Sequence, residues 1–514
     1  MPALVYKNAA RSTFEPKSVG IVGGGIAGLY AAKLLQREGH YFHIFEGSDR
    51  VGGRIKTHYF SHEDNQYFEA GAMRIPKSSF HDITFDLIDY LQSFKFPEDK
   101  EIRLIEYVLT TSGNSMLIND VERSGAHAAV AATTPASLDW DVPSRYQHMT
   151  ASSLMWDAIS PFIEDLRHDF EDGFEKLLKF DHLSFRLYLS DKMGWPTSVI
   201  DFVETVTSQT NQFMLSCTEL VMQNMDFDTE EWATIDRGMS RLPNALASLI
   251  GYENITFNAR VSGLRHEKDG RVTITATRYG REFSRTFDDV ILAIPPPALS
   301  MIANRPRWSP EKEMAIRSMH LEPLYKMGLR FKTRFWERVK CRSFNSMGGQ
   351  SATDLPIRWI VYPSNGQGTD GPGVLLVYAW MTDASSWLPL TQTERQTLAL
   401  DCIARVFQGQ LDEEGKPIDI YDLIMECADA VWCAATATGD AMFLPGQFVS
   451  RFESARKPED NIYFAGEHLS KHHTWISGAV ESALDTVRLL LNDPGLEPLR
   501  PASNKKGADK MKVV

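Results

Sequence analysis

Val19-Gly20-Ile21-Val22-Gly23-Gly24-Gly25-Ile26-Ala27-Gly28 is the stretch that decides how this chain is organised. Its first four residues read as a short buried strand, the glycines as a tight turn, and Leu29 to Gln36 as a helix with little polar interruption. Strand, turn and helix in this order form the dinucleotide fingerprint G-x-G-x-x-G. Gly23 permits the turn, Gly25 lets the backbone approach a pyrophosphate, and Gly28 allows the helix to pack closely on the strand. The helix start, with Ile26 and Ala27 at its first positions, offers unpaired N–H groups and a partial positive charge to phosphate oxygens. A second strand, Tyr41 to Phe45, is closed by Glu46, 18 residues beyond Gly28. A carboxylate there accepts the ribose hydroxyls and repels a 2′-phosphate.

Composition sets the outer bounds. The 514 residues carry 54 Lys+Arg against 67 Asp+Glu, a net charge of −13, which argues against a general nucleic-acid or anionic-membrane binder. With 43% hydrophobic and 24% charged residues, the chain has an ordinary globular composition and a length of about three domains. Cys217, Cys341, Cys402, Cys427 and Cys433 are scattered and form no CxxC pair, so no metal site is expected and a reducing compartment is. The first residues lack the apolar core of a secretory leader, and no apolar run reaches the ~20 residues of a membrane span. The expectation is a cytoplasmic protein.

Beyond Glu46 comes Arg50-Val51-Gly52-Gly53-Arg54. Here the sequence resembles the glutathione-reductase-type FAD-binding proteins and, within them, the flavin amine oxidase superfamily. The resemblance places Gly52, Gly53 and Arg54 against the FAD diphosphate, where an Arg fork neutralises oxygens that helix N–H groups alone leave unsatisfied. Three distal stretches agree with it. In Asn258-Ala259-Arg260-Val261, Val261 is the residue whose backbone lies near the adenine; Asp288 to Pro295 matches a strand of the FAD domain. Tyr463-Phe464-Ala465-Gly466-Glu467-His468 and Trp475-Ile476-Ser477-Gly478 match the segment that carries an acidic residue and a helix start to the flavin, implicating Gly466, Glu467, Trp475 and Ile476. No cysteine marks a covalent attachment in that motif, so the FAD is expected to be noncovalent.

Substrate class is read from three further segments. Glu69-Ala70-Gly71-Ala72-Met73-Arg74-Ile75-Pro76 resembles the G-x-M-R-x-P segment of flavin-dependent L-amino acid oxidases. The resemblance makes Arg74 the ligand of the substrate carboxylate and lays Gly71, Ala72, Met73 and Arg74 beside the cofactor. Amines have no carboxylate, and an unpaired buried Arg in their site would be costly. Thr353 to Pro363 resembles the oxidases' T-D-L-P-x-R-x-I-x-Y-P stretch and assigns the second carboxylate contact to Tyr362. Lys326 matches the superfamily lysine that holds a water at the flavin, and is the expected catalytic residue. The resemblance also implies that Trp232 and Trp475 line the pocket and that a main-chain carbonyl at Thr474 faces the substrate amine. Thr474 and Arg237 stand where the family usually has Gly.

The expected architecture is mixed α/β with a discontinuous Rossmann-like FAD-binding domain (18–75, 238–325, 452–495). A mixed-sheet substrate domain (76–120, 326–451), a helical insertion (121–237) and a loose tail (496–514) complete it. Pro161 is expected to kink or restart a helix in the insertion. The resemblance implies oxidative deamination of L-amino acids by hydride transfer from Cα to flavin N5, with O2 as the final acceptor, in a homodimer or dimer of dimers. An amide-forming monooxygenase and an amine or polyamine oxidase share the same motifs, and a flavoprotein without turnover is the non-enzyme alternative.

Overall fold

The computed structural model describes residues 15–124, 132–209, 211–227, 229–341, 344–434 and 437–501. The opening stretch forms the strand Ser18–Val22, the helix Ile26–Arg37 and the strand Tyr41–Phe45. They belong to a five-stranded parallel sheet ordered Ile255–Thr256, Tyr41–Phe45, Ser18–Val22, Asp289–Leu292, Ile462–Phe464. The strand order draws on parts of the chain more than 400 residues apart, and both faces are covered, which explains the near-continuous apolar runs. Helix Ile26–Arg37 is buried along most of its length and packs on Ile476–Leu491 and Arg241–Ile250. Gly28 lets the first helical turn sit against the glycine turn and the first strand: a Cβ there would lie 2.1 Å from the carbonyl oxygen of Gly23.

A second, eight-stranded mixed sheet runs Ala437–Thr438, Ile424–Ala434, Leu324–Phe331, Gly373–Trp380, Trp359–Val361, Gln350–Thr353, Ser115–Ile118, Val121–Ser124. All its pairs are antiparallel except Gln350–Thr353 with Ser115–Ile118. One face holds an apolar core of Tyr325, Met327, Ile360, Tyr362, Leu375 and Val377. The other turns Leu324, Lys326, Trp359, Tyr378 and Trp380 toward the parallel sheet. Because side chains alternate along a strand, this parity assigns every residue of the central strands to one layer or the other.

The helices Ala151–His168, Phe170–Leu177, Phe185–Asp191, Thr197–Val206 and Cys217–Asp226 form a third layer. The expected helical insertion is strand at both ends. Val121–Ser124 completes the mixed sheet, and Trp232–Ile235 pairs with Ile75–Pro76 and Leu104–Glu106. Pro161 does not restart its helix: Ala151–His168 runs through it. Pro161 and Asp157, whose carbonyl loses its partner, are both exposed residues, on the solvent side of the helix. The buried stripe of Leu154, Met155, Ala158, Ile159, Phe162 and Ile163 offsets the ~3 kcal/mol usually lost.

The tail also departs from expectation as far as it is described. Leu496 and Leu499 are buried, the Leu499 N–H donates to the Tyr30 hydroxyl at 2.9 Å, and Arg37 donates to the carbonyls of Glu497 and Pro498. Residues 502–514 lie outside the described residues. Among the described residues no helix is long and apolar enough to cross a membrane, and no group of three His, Cys, Asp or Glu is placed to hold a metal ion.

Candidate active site

The parallel sheet, the cavity face of the mixed sheet and the helical layer enclose a cavity of about 770 Å³. At one end lies the glycine turn. Gly23, Gly25, Ile26 and Ala27 line the cavity, and a Cβ on Gly25 would meet nothing within 4 Å, so the backbone itself faces open space. No side chain caps this helix start, which leaves its N–H groups free for a ligand. The Glu46 carboxylate lines the same end, held by the N–H groups of Gly24 (2.7 Å) and Ser48 (2.8 Å). Gly52, Gly53 and Val261 line it too. Arg50, which sequence reading did not single out, shapes this loop by donating to the carbonyls of Val51, Gly53 and Ile55.

Arg54 and Glu467 join the distant segments. Arg54 Nη1 lies 2.6 Å from Glu467 Oε1 and donates to the Gly439 carbonyl at 2.9 Å. Glu467 also accepts the N–H groups of Ala441 and Thr474, both at 3.1 Å. Burial pushes this carboxyl up, but Arg54, His473 and His468 outweigh it and hold it below its ordinary value. Gly466 lies beside it, and the helix Ile476–Leu491 begins without a side-chain cap where Trp475 and Ile476 line the cavity. Two uncapped helix starts, an Arg fork and a carboxylate at the strand end therefore converge on one elongated cavity. This donor set fits an adenine dinucleotide: N–H groups and Arg54 for the diphosphate, Glu46 for a ribose.

At the other end Gly71, Ala72, Met73 and Arg74 line the wall. Gly71 is required by close approach, since a Cβ there would lie 1.9 Å from the Arg54 carbonyl oxygen. Arg74 is only 8% exposed, and no ion pair among the described residues involves it. Its side chain donates to Gln350 Oε1 at 3.5 Å and meets the Tyr107 hydroxyl. Around its guanidinium stand the rings of Phe227, Trp232, Tyr107 and Trp359, with centroids 5.1 to 5.8 Å away. Such cation–π contacts contribute about 0.5–2 kcal/mol each, and they cannot replace an anionic partner.

Lys326 stands beside Arg74, 3% exposed, its Nζ 2.5 Å from the Gly71 carbonyl oxygen and 4.6 Å from the centre of the Tyr378 ring. Burial, then Arg74, lowers its pKa to about 7. Glu69 lies behind, pushed up to about 8 by burial although it accepts from the Met239 N–H and the Thr57 hydroxyl.

Two expected pocket residues lie elsewhere. Tyr362 does not line the cavity: it shares strand parity with Ile360, is buried in the opposite core, and its phenol is hydrogen bonded to Ser351 at 3.0 Å. Tyr378 stands directly across the strand from Lys326 and does line the cavity. Its strand, Gly373–Trp380, reads only as buried apolar sheet, so no local signal marked it; cross-strand register did. Trp232 backs the wall rather than forming it, packing on Trp475 at 6.0 Å while its indole N–H donates to the Thr229 carbonyl. Trp359, Trp380, Trp432 and Asp440 also line this end, and the Asp440 Oδ1 is buried without a hydrogen-bond partner.

Thr474 and Trp475 line the cavity from a segment braced by two buried histidine–carboxylate hydrogen bonds. His472 Nδ1 lies 3.0 Å from Asp226 and His473 Nδ1 2.7 Å from Glu219, tying the segment to helix Cys217–Asp226. Neither histidine lines the cavity. None of the five cysteines lines it.

A family model described as flavin containing amine oxidoreductase matches residues 26–491. The chain belongs to this family. The flavin amine oxidase is an oxidoreductase whose cofactor is FAD, with an amine or amino acid as substrate and oxygen as acceptor. It is 32% identical to "Putative bifunctional amine oxidase" of Dictyostelium discoideum across 96% of its own length, but spans only 48% of that longer relative. It is 29% identical to L-amino-acid oxidase 4 of Hebeloma cylindrosporum (93% of this chain, 83% of that one). To an L-amino-acid oxidase of Echis ocellatus it is 27% identical (94% and 91%). Among solved structures, a putrescine oxidase double mutant superimposes with a TM-score of 0.71 at 18% identity, over 93% of this chain and 99% of the other, which establishes the shared fold.

Both departures from the family's Gly pattern occupy left-handed backbone. Arg237 has φ 60° and Thr474 φ 74° in this amine oxidase. The β-branched Thr474 carries the larger strain, roughly 1–2 kcal/mol, against about 0.5–1 kcal/mol for the added freedom of an unfolded Gly. Thr474→Gly is therefore expected to raise the melting temperature by a few degrees at most, with Arg237→Gly gaining less because it also loses the ion pairs to Asp64 and Glu98. A melt in which Thr474→Gly loses several degrees would contradict the backbone described.

Proposed function

We propose that this amine oxidase is an L-amino acid oxidase, converting an L-amino acid, O2 and water to a 2-oxo acid, ammonia and H2O2. The observation that carries the reading is Arg74: a guanidinium buried in the cavity wall, with no carboxylate partner among the described residues. An amino acid brings that partner with it. The names of the L-amino-acid oxidases above support the same reading.

FAD, held by the N–H groups of the glycine turn, Arg54 and Glu46, would supply the acceptor for the two electrons leaving Cα and their route to O2. The chain's own groups do the rest. Arg74 takes the carboxylate as a charge-assisted, two-point hydrogen bond, and the phenol of Tyr378 takes over the second contact first assigned to Tyr362. With the carboxylate fixed, the main-chain carbonyl of Thr474 accepts an N–H of the substrate amine, and Cα–H is held in one orientation. Trp359 and Trp475 exclude bulk water around these contacts. Lys326, with a pKa of about 7 and its Nζ on the Gly71 carbonyl, gives and takes a proton at neutral pH, as hydrolysis of the imine while it is still in the cavity requires.

The test is a product balance on the holoenzyme over common L- and D-amino acids and the corresponding amines. Equal amounts of 2-oxo acid, ammonia and peroxide from L-substrates alone are expected. Stoichiometric amide with little peroxide would make the protein a monooxygenase. Amines that outrun their amino acids would remove the carboxylate from the reading.

A further inference from the structure

Asp440 lines the cavity but is used by neither the carboxylate site nor the cofactor site. It follows Gly439, whose carbonyl is tied to Arg54, and precedes Ala441, whose N–H is tied to Glu467, so its backbone position is set from both sides. Its own carbonyl accepts the Glu322 N–H at 2.9 Å. The side chain lines the cavity with Oδ1 buried and unpartnered, and no ion pair among the described residues includes it. The two cations closest to it in effect are engaged elsewhere: Arg54 with Glu467 and the Gly439 carbonyl, Lys326 with the Gly71 carbonyl. A buried carboxylate oxygen without a donor is costly, and is retained where a ligand supplies the donor.

The surroundings say what kind of donor. Asp440 shares its wall with the aromatic rings of Tyr378, Trp380 and Trp432, brought together because Leu324 lies opposite both Trp380 and Trp432 and Lys326 opposite Tyr378. Trp380 packs on Trp359 at 4.4 Å, and Trp359 in turn on the Arg74 guanidinium. A continuous aromatic wall thus leads from a cation that needs an anion to a carboxylate that needs a cation. Aromatic faces with one carboxylate are the usual means of holding an ammonium or guanidinium group away from water.

We propose that Asp440 determines side-chain specificity, receiving a positively charged nitrogen at the far end of a long substrate side chain. This deepens the amino-acid reading and rests on it for the α-carboxylate. The preferred substrates are then L-amino acids with an ammonium- or guanidinium-bearing side chain. The charged and titratable groups that face Asp440 are Glu467, Arg54 and Glu322, with Lys326, Tyr378 and His473 on the elements packed against it. Burial, then Glu467, raises its pKa to about 7. Since only the ionised carboxylate attracts the cation, preference for cationic side chains should grow as pH rises through about 7.

The experiment compares two substrate pairs that differ by one distal ammonium group, L-lysine with L-norleucine and cadaverine with pentylamine, in holoenzyme of wild type, Asp440→Asn and Asp440→Glu. Wild type is expected to favour the cationic member of each pair by about 10- to 100-fold in kcat/KM at pH 8, less at pH 6. Asp440→Asn should shrink the ratio to within a few-fold at both pH values, and Asp440→Glu should restore part of it. Because Asp440 also faces Lys326, the ratio within a pair, not the absolute rate, is the readout. An unchanged ratio in Asp440→Asn, or a wild type that favours norleucine and pentylamine, overturns the assignment. The diamine pair has no carboxylate, so a preference for cadaverine together with inactive lysine would sink the amino-acid reading and leave Asp440 in its role.

Discussion

Arg74→Met is expected to lower kcat/KM for L-amino acids by about 10²–10³-fold, the scale of a buried charge pair broken on one side. The guanidinium has aromatic faces, Gln350 and the Tyr107 hydroxyl around it, but no anion among the described residues. The substrate carboxylate is therefore the ion that completes it, and in the variant that carboxylate must be desolvated without compensation. Methionine keeps the apolar stem against Phe227 and Trp232, so the melting temperature should hold or rise. A loss of the same size with carboxylate-free amines would show that Arg74 shapes the cavity and does not bind the carboxylate. Tyr378→Phe should cost about tenfold, as one hydrogen bond to a charged group. Tyr362→Phe should have little effect on kcat/KM, because its phenol is spent on Ser351 on the far side of the sheet.

Lys326→Met is expected to reduce kcat by about 10²-fold, within the usual range for a positioned proton-transfer group. It should also change the pH dependence of stability. Lys326 titrates at about 7 in the folded protein against 10.5 for the free side chain, so between these values the unfolded state binds more protons. Stability conferred by this site therefore rises with pH across that window, by up to about 1.4 kcal/mol per pH unit, and is at its lowest below pH 7. Glu69, raised to about 8, works the other way below pH 8, because its proton is lost from the unfolded chain first. The difference between wild type and Lys326→Met in urea denaturation at pH 8, 9 and 10 isolates the lysine. Parallel pH profiles for the two proteins would mean that Lys326 is not held neutral.

Much of the site was legible because each cofactor motif is local. Gly23, Gly25, Glu46, Gly52 and Arg54 fall in one βαβ unit, where turn geometry and a helix start dictate residue type within a few positions. Arg74 was legible from its own segment, with the close approach at Gly71 beside it. Tyr362 misled because its segment matched while its parity was unknown: in a strand buried on both faces, both neighbours are apolar and nothing local says which side faces the cavity. Trp359 and Tyr362, three residues apart, point to opposite layers. That the helix continues through Pro161 was hidden for a related reason, since the cost of the proline depends on whether the freed carbonyl lies near solvent.

The sequence by itself determined the cofactor class, the α/β nature of the fold and the Arg that awaits an anion, because each depends on interactions spanning a few neighbouring residues. Tertiary structure alone decided which tyrosine lines the cavity beside that Arg, that Glu467 is the partner of Arg54, and that Asp440 Oδ1 has no hydrogen-bond partner among the described residues. Those are questions of register between strands and of burial, and both arise only when segments hundreds of residues apart are brought to within hydrogen-bond distance. The net charge of −13 belongs to the surface as a whole. The chemistry of the cavity depends on a few buried charges placed against aromatic walls, where low polarity makes each unpaired group count.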